Sequence, residues 1–105
     1  MPLPEIIDAE WWEKTEALLR SRYPNFFHNL FARNSELHLN EIRLCMIILL
    51  KYDTADIARV LAISIESLHT SRYRLRKRLG LGHGDDLYVL LLSFAEEAAP
   101  SHLHI

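Results

Sequence analysis

The chain has one cysteine, three glycines, four prolines and no apolar run near the roughly 20 residues that a membrane-spanning helix needs. Each shortage excludes something. A single Cys45 rules out an internal disulfide, and its place in the apolar run 44–50 reads as an inert core thiol. With half of the residues hydrophobic and so little Gly and Pro, a compact helical domain is expected rather than a disordered chain. The N-terminus lacks the basic stretch of a secretory signal, so the expectation is a soluble, cytoplasmic chain without a membrane partner. Its 105 residues allow one domain with one core, and no separate receiver or ligand-sensing domain fits beside it.

Chemistry-bearing motifs are also missing. There is no glycine-rich phosphate loop, no nucleophile elbow and no paired-histidine motif of the metalloprotease kind. His28, His38, His69 and His83 are spread over different elements. His102 and His104 have no cysteine or carboxylate at ligand spacing. The reading is therefore no enzyme, no metal and no cofactor.

What the chain does have is concentrated charge. The net charge of −2 hides a division along the sequence. Residues 1–36 carry six acids and four bases, residues 37–53 two of each, and residues 82–105 four acids and no base. Residues 54–81 carry six bases against Asp56 and Glu66, a local +4. Five of the twelve Lys and Arg residues fall within 72–78: Arg72, Arg74, Arg76, Lys77 and Arg78. Phosphate binding depends on local charge, so this block points to nucleic acid although the whole chain is acidic. A solvated helix face would carry the same run; what precedes the block separates the two readings.

Helical spacing organises the rest. Asp8 is placed to cap a first helix whose stripe is Trp11, Trp12, Thr15, Leu18 and Leu19. Pro24 should break it and open a second helix at its first turn, where Phe26, Phe27, Leu30 and Phe31 share a face. These aromatics read as core rather than as a ligand box. A third helix is expected over 39–52, with Ile42, Cys45, Met46 and Leu49 inward and Ile47, Ile48 and Leu50 widening the surface, as in a central helix touched by several neighbours. Asp53 or Thr54 can cap a short fourth helix carrying Ile57, Ala58 and Leu61. Ala62 and Ile63 then turn the chain, and Ser64 caps a basic helix over 65–79. A short helix, a tight turn and a basic second helix form a helix-turn-helix pattern, with small Ala58 where the two helices would cross.

At 100° per residue the basic helix divides into faces. Leu68, Leu75 and Leu79 lie on one side, beside Ser71. Opposite stand Glu66, His69, Thr70 and Tyr73, the candidate contacts to DNA bases, together with Lys77. Ser67, Arg72, Arg74, Arg76, Lys77 and Arg78 are the candidate phosphate contacts. Arg72 falls near the buried edge and suits an ion pair with Glu41 or Asp56 equally well.

Residues 37–81 resemble the LuxR (GerE-type) DNA-binding domain, in the variant found at the C-terminus of Bacteroidetes regulators. The resemblance rests on Leu37 and Glu41, then on Thr54, Asp56-Ile57-Ala58, Leu61 and Ile63-Ser64. It continues through Glu66-Ser67-Leu68 and Arg72-Tyr73-Arg74-Leu75-Arg76-Lys77-Arg78-Leu79-Gly80-Leu81. Tyr23-Pro24 and Phe26-Phe27 resemble that subgroup's lead-in less specifically. The chain departs from the pattern at His38, at Ala62 where Gly or Asn is frequent, at Ile65 where Pro is frequent and at His69 where Lys is common. Ala62 is free of strain only if the turn avoids positive φ; otherwise it costs about 1 kcal/mol. His69 removes a fixed cation from the reading face. The resemblance implies an all-α fold and sequence-specific binding of double-stranded DNA by a bacterial transcription regulator. It also implies dimerisation through the helix after the basic one.

That helix is expected over 85–97, capped by Asp85, with Leu87, Leu90, Leu91 and Phe94 toward the core. Tyr88, Val89, Leu92 and Ala95 form a second apolar surface, the candidate homodimer interface, unless the N-terminal aromatic helices cover it. The expected organisation is an N-terminal helical extension (1–36), a LuxR-like helix-turn-helix domain (37–97) and a frayed tail (98–105). Two other functions fit the same pattern: a sigma-factor-like promoter reader in contact with RNA polymerase, and a helical interaction module that does not bind DNA.

Overall fold

A computed structural model of the chain describes residues 3–97, so the expected tail and its His102 and His104 lie outside the described residues. Among the described residues the fold is all-helical, with no strand. The elements are α1 (Ala9–Arg22), α2 (Phe26–Arg33), α3 (Leu39–Leu49), α4 (Thr54–Leu61), α5 (Ile65–Arg78) and α6 (Leu87–Glu96).

Side-chain caps set most helix starts. Asp8, Asp53, Ser64 and Asp86 each accept a hydrogen bond from an amide in the first turn of the helix that follows. Asp86, not Asp85, caps α6; the Asp85 carboxylate accepts from the Gly82 amide at 2.8 Å and holds the preceding loop. At α3 the cap works in reverse, with the Glu41 carboxylate accepting from the His38 amide at 2.9 Å. Pro24 sits in the turn between α1 and α2, before the first turn of α2 rather than within it.

Three helices end in one backbone arrangement, in which a left-handed residue lets two amides reach back to the last carbonyls. After α5 the left-handed residue is Gly80, with φ 77°. After α4 it is Ala62, with φ 56°, its amide bonded to the Arg59 carbonyl at 3.1 Å and the Ile63 amide to that of Ala58 at 3.0 Å. After α3 it is Lys51, with φ 65°, which ends the helix earlier than the apolar pattern over 39–52 suggests.

One apolar cluster joins all six helices. Leu19, Phe26, Leu30, Leu44, Cys45, Ile47, Ile57, Leu68, Leu75, Leu79 and Leu91 are fully enclosed. α3 is central, with every side chain from Leu44 to Leu49 buried. It packs against α4 and α6; α4 packs on α5, and α6 lies against α2. Burial pushes the Cys45 thiol up to about 12, and the Glu41 carboxylate adds to that.

Thr15 and Asn29 are the buried polar side chains among the described residues, and Asn29 has a task. Its amide donates to the Phe94 carbonyl at 2.9 Å and to that of Glu97 at 3.2 Å, closing the C-terminal end of α6. From the end of the same helix Arg33 Nε donates to the Leu79 carbonyl at 2.8 Å, and Asn34 Nδ2 to that of Arg78 at 3.0 Å. The α2 segment thus caps the ends of both α5 and α6.

Candidate nucleic-acid interface

α4 and α5 are joined by the short connection 62–64. Ser64 Oγ accepts from the Ser67 amide at 3.0 Å and fixes where α5 begins. Ala58 is buried on the inner side of α4, and Leu68, Leu75 and Leu79 are at most 1 % exposed on the inner side of α5. With these residues inward, the opposite face of α5 must stand outward. Glu66, His69, Thr70 and Tyr73 are all exposed there.

Their hydrogen-bonding capacity differs. The Thr70 hydroxyl is turned back to the Glu66 carbonyl at 3.3 Å, which leaves its methyl group for outward contact. Ser67 shares its hydroxyl with Ser64 at 3.0 Å, within the cap itself. Tyr73 is 58 % exposed and carries the Lys77 ammonium 4.6 Å from its ring centroid.

The basic residues separate into free and committed groups. Arg74 and Lys77 are exposed. Arg76 is half-buried and donates to the Gly82 carbonyl at 2.9 Å. Arg78, a phosphate candidate from sequence, is instead bound inside the molecule. Its Nε lies 2.9 Å from the Glu41 carboxylate, and Nη2 donates to the Glu36 carbonyl. The ion pair expected between Arg72 and Glu41 or Asp56 is not formed; Glu41 is taken by Arg78, and Arg72 donates to the Thr54 hydroxyl at 3.3 Å. Arg76, Lys77 and Arg78 also occupy the last turn of α5, where positive charge favours the helix irrespective of any ligand.

Beside Arg74 lies a cleft of about 370 Å³ bounded by the start of α3, the 62–64 connection and α5. His38, Asn40 and Glu41 share its wall with Arg74, so the outward face of α5 continues onto α3. The approach of His38 and Asn40 to α5 depends on how α3 and α4 pack, so helical spacing alone does not reveal it. No group of His, Cys, Asp or Glu among the described residues is arranged to hold a metal ion.

On α6, Val89 is 60 % exposed while Tyr88 and Leu92 are half-buried. Ala95, expected on the same surface, is 8 % exposed and belongs to the core. Leu90, expected inward, is only half-buried. No helix of the described residues is long and apolar enough to cross a membrane. Comparison with protein-family models, with curated proteins and with solved structures finds no match to this chain.

Proposed function

We propose that this chain binds double-stranded DNA through α5, as the sequence-specific reading part of a bacterial transcription regulator working in the cytoplasm. The observation that carries the proposal is the division of α5: three enclosed leucines on one side, and exposed Glu66, His69, Thr70 and Tyr73 flanked by exposed Arg74 and Lys77 on the other. α4, the short connection and α5 then act as a helix-turn-helix of the LuxR (GerE) kind, with α5 in the major groove. His69 and Tyr73 supply hydrogen-bonding groups to base edges, the Thr70 methyl meets a thymine methyl, and Glu66 accepts from a cytosine amino group. Arg74 and Lys77 hold phosphates, with Arg76 at the edge of the contact.

Association of two copies through Val89, Tyr88 and Leu92 would set two α5 helices about one DNA turn apart, ~34 Å, and favour an inverted repeat. The exposed Val89 also suits a second reading, an interaction module that takes a protein partner and no DNA. Titration of DNA binding against salt separates the two. Changing Arg74 or Lys77 to Ala should weaken binding to all sequences alike and lower the salt slope by about 1 each. Arg78→Ala should leave the slope unchanged and lower thermal stability instead. A protein that shows no DNA affinity at low salt refutes the proposal.

A further inference from the structure

On the side of α5 away from Arg74, Arg72 lines two clefts together with residues of α3, α4 and α6. One cleft of about 270 Å³ is lined by Ile48, Lys51, Tyr52, Ile57, Arg72 and Tyr88. A second, of about 480 Å³, shares Ile48, Arg72 and Tyr88 and runs on toward Arg76 and the 84–86 loop. The two share a wall formed by Ile48, Arg72 and Tyr88.

The groups around it are incompletely satisfied. Arg72 is half-buried, and its only hydrogen-bond partner among the described residues is the Thr54 hydroxyl. Among the described residues no carboxylate lies within 4.0 Å of its guanidinium. Three acids lie close by: Asp85 and Asp86 line the second cleft, one oxygen of each accepting from the Gly82 and Val89 amides, and the Asp56 charge acts on Tyr52. The Tyr52 hydroxyl is shielded from solvent and has no partner among the described residues. Lys51 stands 4.9 Å from the Tyr88 ring centroid, adding a second cation at the rim. A guanidinium with free donors, an ammonium and an idle hydroxyl call for an acceptor-only group, while two tyrosine rings and two isoleucines call for a flat apolar body.

We infer that the first cleft, lined by Lys51, Tyr52 and Arg72 and by no carboxylate among the described residues, is a binding site for a small organic anion, a carboxylate or phosphate carried on an aromatic or compact apolar body. The anion pairs with Arg72 and accepts from Tyr52, and the body lies against Tyr88, Ile48 and Ile57. A DNA phosphate fits less well, since the walls are apolar and the guanidinium is set back between helices. Such a ligand touches α3, α5 and α6 at once and would link occupancy to the placement of the basic helix.

The site can be tested on the full chain without DNA, so its outcome is independent of the proposed DNA binding. Phenyl phosphate and benzoate are titrated by calorimetry and by thermal shift, with benzyl alcohol as the neutral counterpart. Saturable binding of the anions and none of the alcohol is expected. Arg72→Met should weaken binding at least about tenfold, the loss of a charged hydrogen bond. Tyr52→Phe should weaken it severalfold while leaving Tm equal or higher, because it removes a shielded hydroxyl without a partner. That opposition between affinity and stability cannot come from a damaged fold. Absence of saturable binding, equal binding of benzyl alcohol, or affinity unchanged by both substitutions overturns the inference. So does a chain that ignores the probes yet loses about one unit of salt slope on DNA with Arg72→Met, which would assign Arg72 to a phosphate.

Discussion

Ala62 holds a left-handed backbone at φ 56° between α4 and α5, where a residue with a Cβ is strained by roughly 1–2 kcal/mol. Glycine removes the strain and gives back part of it as chain entropy, roughly 0.4–1 kcal/mol. Ala62→Gly should therefore stabilise the fold by about 0.5–1 kcal/mol, raising Tm by a few degrees in a calorimetric scan. An unchanged or lower Tm would mean that the strain is relieved elsewhere. The need for positive φ could be suspected from the family pattern but was not decided by the residues, since Ala fits both kinds of turn. Cys45 gives a second test at this scale. A thiol of 9.0 when unfolded and about 12 when folded keeps its proton in the native state, so the unfolded chain binds fewer protons between those values. Stability should fall with rising pH across that window, by up to about 1.4 kcal/mol per unit, with burial of Tyr52 acting in the same direction. Below pH 9 this contribution is constant. Thiol labelling at neutral pH should proceed only as the protein unfolds, which a maleimide time course in urea would follow.

Among the elements, α2 has the role least visible in the sequence. Phe26, Phe27, Leu30 and Phe31 show its core face by spacing alone; the first three are buried and Phe31 is half-buried. Asn29, Arg33 and Asn34 look like ordinary surface polarity, because the carbonyls they reach are 44 to 68 positions away. Helix ends are local and readable; their tertiary partners are not. The same limit explains Arg78, which shares a basic run with Arg74 but faces Glu41 across the fold. Replacing Asn29 with Ala should cost about 1–3 kcal/mol in urea unfolding, from the loss of bonds to the Phe94 and Glu97 carbonyls. Asn29→Asp should be worse than Ala although it is closer in shape. It removes the donor and sets a negative charge against the negative end of the α6 dipole, beside Glu97. If Asp were tolerated better than Ala, the capping role would be wrong.

For the molecule as a whole, the all-helical class and the two faces of α5 were legible because both follow from periodicity and from a strong contrast between leucine and charge. The faces of α6 were only partly legible. Its apolar residues run nearly all round, and which of them meet α2 and α3 depends on packing; Ala95 is inside and Leu90 only half so. That leaves Val89 as the sharpest probe of assembly. At 60 % exposure, Val89→Lys should leave the circular dichroism spectrum and Tm within error of the parent. Under the dimer reading it should also abolish self-association in sedimentation and cooperative binding to an inverted repeat. A parent chain that stays monomeric on and off DNA would remove the dimer from the proposal.

The caps that α2 places on α5 and α6 bear on how portable the basic unit is. Residues 37–97 look from sequence like a cassette that could be cut out and fused to another sensor. Yet the last carbonyls of its basic helix and of its final helix are satisfied by Asn29, Arg33 and Asn34, which such a cut discards. Leu19, Phe26 and Leu30 would go with them from the shared core. An engineer moving this specificity to a new host must carry α1 and α2 along, together with the segment before Asp8, where Leu3 and Ile7 pack on the core and the Pro4 carbonyl accepts from Arg59.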